Sequence, residues 1–161
     1  MTKIDSENSF EIQNKKGESF EQFIIKRLML DGYTFKSMNK DCKYDILMEK
    51  DGVDIKFECK YDMIMKRTGN VFIETGTNRR TTKGGGKGKS GLYTSYADYY
   101  VIGDYNYYMI ILASKLHEAV QMHGIERYYV HPTNSRKNNV GCVIKVNDLK
   151  QHCKYIFNSC K

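Results

Sequence analysis

The stretch that decides the fold is KYDILMEKDGVDIKFECK, residues 43–60 of a 161-residue chain. Apolar and polar residues alternate on both sides of Asp51-Gly52, and an Asp-Gly pair between two such runs is a strong local signal for a β-hairpin. The stretch therefore predicts two antiparallel strands, at about 43–49 and 53–60.

The second strand of this hairpin carries a candidate site. Side chains alternate between the two faces of a strand, so Glu58 and Lys60 share one face and Cys59 points to the other. Asp45, on the first strand, can join Glu58 and Lys60. Two carboxylates and an ammonium in one place are costly, because like charges repel and each ion loses hydration. A salt-bridged solvent face would use the same residue types, in a chain with 26 Lys+Arg and 19 Asp+Glu.

A divalent cation would offset this cost. Oxygen ligands suit Mg²⁺, which retains several waters and also binds phosphate oxygens. A lysine beside such an ion can orient or deprotonate a water molecule that attacks phosphorus. The pattern therefore indicates phosphodiester chemistry.

The segment before the hairpin predicts a helix from Glu18 to about Leu30. Its core stripe at helical spacing consists of Phe20, Phe23, Ile24 and Leu28. Glu21 lies at the edge of this stripe, where its carboxylate could reach a site beside the sheet. Asp31-Gly32 is expected to end the helix, since glycine suits the position after a helix C-terminus. The polar residues 1–14 are predicted to form a flexible arm.

The segment after the hairpin predicts a strand at about 70–75 and then a basic, Gly-rich loop at 76–91. The loop has too many glycines for regular structure and is expected to be mobile. Such a loop can close over a phosphate backbone, although a plain flexible surface loop is the alternative. Its cations are Arg79, Arg80, Lys83, Lys87 and Lys89. Tyr93 and Tyr96 follow directly and could stack on bases.

The remaining segments predict further elements around this centre. Strands are expected at 99–102 and 107–112, and a second hairpin at 127–131 and 140–146. Helices are expected from Ser114, as N-cap, to a stop at Gly124, and after Asn147, as the cap of a short helix beginning at Asp148.

Asp45, Glu58 and Lys60 together resemble the core of the PD-(D/E)xK nuclease superfamily, although Tyr44 stands where many members have proline. Residues 16–24 resemble the opening of archaeal-type Holliday junction resolvases, in which a glycine precedes a helix that carries a metal-site glutamate. Glu21 matches that glutamate, with Glu18 as the runner-up. Residues 68–74 and 90–101 are similar to phage-type members.

The resemblance implies an α/β protein with a restriction-endonuclease-like core, in which an N-terminal helix precedes a central mixed β-sheet flanked by helices. Residues 15–161 would form a single nuclease domain. Asp45, Glu58 and the backbone carbonyl of Cys59 would bind Mg²⁺, with Mn²⁺ as a surrogate. Glu21 would bind or position a second ion, Lys60 would orient the attacking water, and Glu74 is a weaker metal candidate.

The basic composition indicates the chemical class of the binding partner. The net charge of +7 and the pI near 9.1 favour a polyanion. We expect no membrane span, because the chain has no apolar run long enough. Five cysteines without a Cys-x-x-Cys spacing favour a reducing, cytoplasmic location, or the host cytoplasm for a viral protein.

These observations favour a Mg²⁺-dependent DNA endonuclease that is structure-selective, like a Holliday junction resolvase, and a phage or other viral origin suits the pattern. In the RNA cap-snatching nucleases of the same superfamily, the N-terminal helix supplies a metal-site histidine. No histidine precedes Asp45 here, so the resemblance implies a carboxylate metal site and favours DNA over RNA. The resemblance also implies a homodimer. The alternatives are a non-catalytic nucleic-acid-binding protein on the same fold, a sequence-specific endonuclease of restriction or homing type, and an adaptor that docks on an acidic partner.

Overall fold

The computed structural model describes residues 3–39, 43–79, 87–130 and 137–159. The elements are, in chain order, α1 Lys3–Leu30, β1 Thr34–Met38, β2 Ile46–Lys50, β3 Val53–Tyr61, α2 Met65–Thr68, β4 Asn70–Arg79, β5 Lys87–Lys89, a 3₁₀ turn Gly91–Tyr93, β6 Tyr99–Gly103, β7 Tyr107–Leu112, α3 Ala113–His123, β8 Ile125–Val130, β9 Lys137–Lys145, α4 Val146–Lys150 and β10 Cys153–Asn158. The chain is mixed α/β, as the sequence predicts. No helix of the described part is long and apolar enough to cross a membrane.

Two sheets organise these elements. The central sheet has the strand order β1-β2-β3-β6-β7-β10, and the small sheet has the order β5-β4-β9-β8. Strand β3 pairs with β6 in parallel, and the other described strand pairs are antiparallel. The central sheet is therefore mixed, and the chain leaves it after β3, builds β4 and β5, and returns as β6.

The predicted hairpin is confirmed. Strands β2 and β3 pair antiparallel from Ile46 opposite Phe57 to Lys50 opposite Val53. The turn between them has φ values of 54° at Asp51 and 77° at Gly52, the two positive angles that a type I′ turn requires. The turn fixes the register, and the register decides which residues of β3 share a face.

Each face of the central sheet carries its own core. Helix α1 covers one face and buries Phe20 and Ile24 against Phe57 and Val101. Cys59 packs against the same cluster, on the face predicted for it. The opposite face packs on α3, α4 and the inner side of the small sheet. That second core includes Ile102, Met109, Leu116, Ile144 and Leu149. The helices therefore flank the central sheet on both faces.

Helix α1 begins at Lys3 rather than at Glu18, so residues 3–14, predicted as an arm, are helical. Its predicted end is confirmed, because α1 stops at Leu30 and Gly32 has a φ of 84°. Strands β1 and β10 were not predicted. Both lie at the edges of the central sheet.

The prediction that residues 76–91 lack regular structure is wrong at both ends. Strand β4 continues to Arg79, and β5 pairs with it from Gly76 opposite Lys89 to Asn78 opposite Lys87. A Cβ atom on Gly76 would lie 2.7 Å from the carbonyl oxygen of Gly88, so glycine permits the close pairing. Arg80 and Lys83 lie outside the described residues, as do the side chains of Arg79 and Lys87.

The second predicted hairpin is confirmed as β8 and β9. Two predicted caps are wrong: Leu112 occupies the N-cap of α3 instead of Ser114, and Lys145 occupies the N-cap of α4 instead of Asn147. Each of these helices begins directly at the end of a strand, so no polar cap residue intervenes. Gly124 follows the last residue of α3, as predicted.

Candidate active site

Asp45 is fixed to β3 by two hydrogen bonds. Its backbone N–H donates to the carbonyl oxygen of Phe57 at 2.9 Å, and its Oδ2 accepts the backbone N–H of Cys59 at 2.7 Å. The carboxylate therefore lies against the backbone between Glu58 and Lys60. This is the meeting of strands that the sequence predicts, although β2 itself begins one residue later, at Ile46.

Glu58 and Lys60 line a cavity of about 310 Å³ on the face of the central sheet opposite α1. Glu74 on β4 lines the same cavity, as do Ser95 and Tyr100. The Nζ atom of Lys60 lies 5.6 Å from the centroid of the Phe72 ring. The cavity thus brings two carboxylates and one ammonium to a single concave surface.

The carboxylates of this region oppose one another's ionisation. Burial, and then the negative charge of Asp45, raise the pKa of Glu58 to about 7, while Lys60 and Ser95 act in the opposite direction. Burial also raises the pKa of Asp45, and the hydrogen bond from Cys59 partly offsets this. Negative charge at this site is therefore destabilised in the metal-free protein.

Glu21 belongs to the same electrostatic group. Its pKa is raised to about 7 by burial, then by the charge of Asp45 and that of Glu18. Glu21 in turn contributes to the raised pKa of Glu58. Asp45 and Glu21 do not line the 310 Å³ cavity, so they approach Glu58 from outside it.

Lys60 is the cation of the site. Burial lowers its pKa, and the carboxylates of Glu74, Asp62 and Glu58 partly offset this effect. A lysine whose pKa is lowered loses its proton more readily than an exposed one, and can then accept a proton from water.

Glu74 is held by the segment that directly follows β5. The hydroxyl of Ser90 donates to its Oε1 at 2.5 Å. The pairing of β4 with β9 shifts by one residue directly after Glu74, and bulges of this kind often re-aim a side chain beside an active site. Gly91 packs directly against Glu74, since a Cβ atom added to Gly91 would lie 2.4 Å from the backbone oxygen of Glu74.

Three polar residues of this region were missed from the sequence: Ser95 and Tyr100, which line the cavity, and Ser90, which holds Glu74. The hydroxyl of Ser95 lies 3.1 Å from the carbonyl oxygen of Lys43 and 3.5 Å from Oε2 of Glu58. Burial raises the pKa of Tyr100 to about 12. Only the parallel pairing of β3 with β6 places Tyr100 opposite Glu58, and no local sequence pattern gives that register.

The donor set fits a hard cation. Among the described residues, no three Asp, Glu, His or Cys side chains form a ready-made metal cluster. Mg²⁺ does not need one, because it usually takes one or two carboxylates and completes its shell with waters and substrate phosphate oxygens. Asp45 and Glu58 supply that number, and a bound cation would stabilise their charged forms.

The described nucleic-acid candidates are exposed. Lys89 lies at the end of β5, and the exposed fractions of Tyr93 and Tyr96 are 44% and 61%. The Nζ atom of Lys43 lies 4.9 Å from the centroid of the Tyr96 ring. Tyr93 packs on the ring of His117 at 5.4 Å, so part of its surface is already used.

Comparison with known proteins yields no family model and no curated protein that matches this chain. Among solved structures, the chain is similar to the bacterial homing endonuclease I-Ssp6803I, with 17% identity and a TM-score of 0.48. The similarity covers 63% of this chain and 69% of that one.

Proposed function

We propose that this protein is a Mg²⁺-dependent DNA endonuclease. The observation that carries the proposal is that Glu58 and Lys60 of β3 line one cavity, while the carboxylate of Asp45, anchored by the amide of Cys59, acts on Glu58 from outside it. The site is built on strands of a packed sheet, which hold side chains more precisely than a loop does.

Asp45, Glu58 and the backbone carbonyl of Cys59 would bind the cation. The amide of Cys59 holds one oxygen of Asp45, which leaves the other oxygen for a ligand. Glu21, whose pKa responds to Asp45, would bind or position a second ion. A bound Mg²⁺ supplies Lewis-acid stabilisation of the phosphoryl group and lowers the pKa of its water.

Lys60 would orient the attacking water and offset the negative charge that develops on the phosphorane. Burial lowers its pKa, which favours proton transfer from water, and Lys60 lines the same cavity as Glu58. Glu74, held by Ser90, would bind a water molecule or the second ion.

The basic surface would bind the DNA backbone. The net charge of +7 supports a polyanionic substrate. The cations of the hairpin region, Arg79, Arg80, Lys83, Lys87 and Lys89, would contact phosphates, and Tyr93 and Tyr96 would contact bases. We propose a branched substrate and a homodimer, as in the resolvases that residues 16–24 resemble in sequence, although Gly17 lies within α1 rather than before it.

A sequence-specific endonuclease is the second candidate, and one observation favours it. Strand β5, which ends at the exposed Lys89, pairs with β4 and forms one edge of the four-stranded small sheet. Some DNA-binding proteins place strands of a sheet in the major groove, where base edges can be distinguished. If this protein is a sequence-specific endonuclease, this edge would select the sequence, and the chemistry at Glu58 would be unchanged.

The test is cleavage of labelled duplex, single-stranded and four-way-junction DNA, in Mg²⁺ and in EDTA. We compare the wild-type chain with Glu58→Ala and Lys60→Ala, and use Glu118→Ala as a matched control on an exposed face of α3. Cleavage should require Mg²⁺, disappear in both site variants and persist in the control, while DNA binding survives in Lys60→Ala.

The preferred substrate then separates the two candidates. Cutting of junctions regardless of sequence supports a resolvase, and cutting of one duplex sequence supports the second candidate. Binding without metal-dependent cutting would refute the nuclease and leave a non-catalytic nucleic-acid-binding protein. Full cleavage activity in Glu58→Ala would instead refute the metal site proposed here.

A further inference from the structure

A second concave surface lies away from the candidate active site. This basic cavity, of about 500 Å³, is enclosed by α2, the start of β4, α4 and the end of β10. It shares no lining residue with the cavity that holds Glu58 and Lys60. Its polar lining includes Lys66, Asn70, Lys145, Asn147 and Lys150.

The backbone brings these side chains together. Gly69 ends α2 with a φ of 68°, and its carbonyl oxygen accepts the N–H of Val146 at 2.8 Å. This hydrogen bond joins the end of α2 to the start of α4. Asn70 pairs directly with Lys145 in the β4–β9 register. The basic cavity is therefore a product of fixed strand pairing rather than of a loop conformation.

The charged side chains that line the basic cavity are all positive. Three lysines line it, and no Asp or Glu does. Within the described residues, Lys145 and Lys150 take part in no salt bridge. Three ammonium groups around one concave surface repel one another, and an anion relieves that repulsion.

Tyr107 supplies an independent indication. Its side chain lines the basic cavity with an exposed fraction of only 7%, and its hydroxyl has no hydrogen-bond partner among the described residues. Buried polar groups in folded proteins are nearly always hydrogen-bonded, so an orphaned hydroxyl indicates a missing partner. The Nζ atom of Lys150 lies 5.6 Å from the centroid of the same ring.

The basic cavity also has space beside it. An adjoining cavity of about 440 Å³ shares Tyr107, Lys150 and Asn158 and extends along β10 past Ile156. The side chain of Ile156 is exposed, so this extension offers an apolar surface next to the lysines. A ligand with an anionic group and a less polar body would match the two halves.

We propose that the basic cavity binds the phosphate group of a nucleotide unit, whether free or part of a nucleic-acid strand. Lys145 and Lys150 contact the phosphate, and Asn70 and Asn147 supply further hydrogen bonds. The rest of the nucleotide lies along β10. This site is separate from the cleavage chemistry and requires no metal.

The test is an NMR titration of the full-length protein in EDTA with inorganic phosphate, a nucleoside 5′-monophosphate and a short single-stranded oligonucleotide. The backbone amides of Gly69, Asn70 and Asn147 should shift saturably. Charge-assisted hydrogen bonds contribute about 1.5–3 kcal/mol each, so the Lys145→Gln/Lys150→Gln variant should lose at least about tenfold in affinity.

The control is Lys26→Gln/Lys115→Gln, which removes the same charge from exposed positions outside the basic cavity and should change the affinity by less than about twofold. The Glu58→Ala variant should bind normally, which keeps this result independent of the nuclease proposal. Tighter binding of the oligonucleotide identifies a strand contact, and equal binding of the monophosphate identifies a free nucleotide. Equal affinities of the two lysine variants, or no saturable shift with any probe, would overturn the proposal.

Discussion

Replacing Glu58 by glutamine should stabilise the metal-free protein while it abolishes cleavage. The pKa of Glu58 is about 7 in the folded protein against an ordinary value of 4.5. The folded chain therefore holds this proton more tightly than the unfolded chain does. Stability is lost as the pH rises from the unfolded pKa through the folded one, and the full cost applies above pH 7. Glutamine cannot ionise, so the variant avoids this cost.

The magnitude follows from the same pKa. A difference of about 2.5 pH units, at about 1.36 kcal/mol per unit, sets an upper limit of about 3.4 kcal/mol. Glu58 is only partly buried, and its titration is coupled to Asp45 and Glu21, so we expect about 1–2 kcal/mol. At pH 8 in EDTA, the variant should exceed the wild type by this amount. At pH 5, which is about half a pH unit above the unfolded pKa, only about a quarter of this gain should remain.

The assay is urea denaturation at pH 5 and pH 8, in EDTA and again with Mg²⁺. Saturating Mg²⁺ should stabilise the wild type at pH 8, by about 2.7 kcal/mol at a hundredfold excess over Kd, and the variant much less. Glu118→Gln is the matched control, because Glu118 is exposed and makes only an i,i+3 ion pair with Lys115. It should change stability by no more than about 0.5 kcal/mol.

Either of two results would refute this reasoning. If Glu58→Gln changed the unfolding free energy equally at both pH values, Glu58 would not be the source of a pH-dependent strain. If the variant retained the full Mg²⁺ response, Glu58 would not be a ligand.

Two further predictions concern Gly91 and Ser95, which line the cavity that holds Glu58. Gly91→Ala should cost about 2–5 kcal/mol, since it places a side chain at a φ of 55° and a Cβ atom 2.4 Å from the backbone oxygen of Glu74. Gly32→Ala, at a φ of 84° with open space around it, should cost only about 1–2 kcal/mol, and equal losses in urea denaturation would contradict the close contact. Ser95→Ala should raise the pKa of Glu58 further, because the Ser95 hydroxyl lowers it, and should shift the acid limb of the cleavage pH profile to higher pH. An unshifted limb would show that Ser95 does not act on Glu58.

The parts of the fold that depend on local sequence could be predicted. The Asp51-Gly52 turn fixes its own geometry, and the alternation on both sides fixes the register, so the meeting of Asp45 with Glu58 followed directly. The end of α1 could also be predicted from local sequence, because Gly32 adopts a positive φ angle that other residues avoid.

The errors arose where tertiary contacts override local preference. Strand β1 is almost entirely exposed, so its residues show no apolar alternation. The glycines at 76 and 88 are typical of a loop in sequence, yet in the structure they allow β4 and β5 to approach closely. Ser95 and Tyr100 reach the site through pairing between segments distant in sequence, which no local pattern reports.

The crossover between β3 and β6 interleaves the two sheets along the chain. Strands β4 and β5 precede β6 and β7 in the chain, whereas β9, which pairs with β4, and β8, which pairs with β9, follow them. A break between β7 and α3 would leave β4 without β9 and β7 without β10. Each fragment would hold strands that the other needs, in both sheets at once. The two halves should therefore regain the geometry of the candidate site only by reassembling together, which makes this break a natural position for a split protein in which cleavage, as proposed, would report on the association of the two halves.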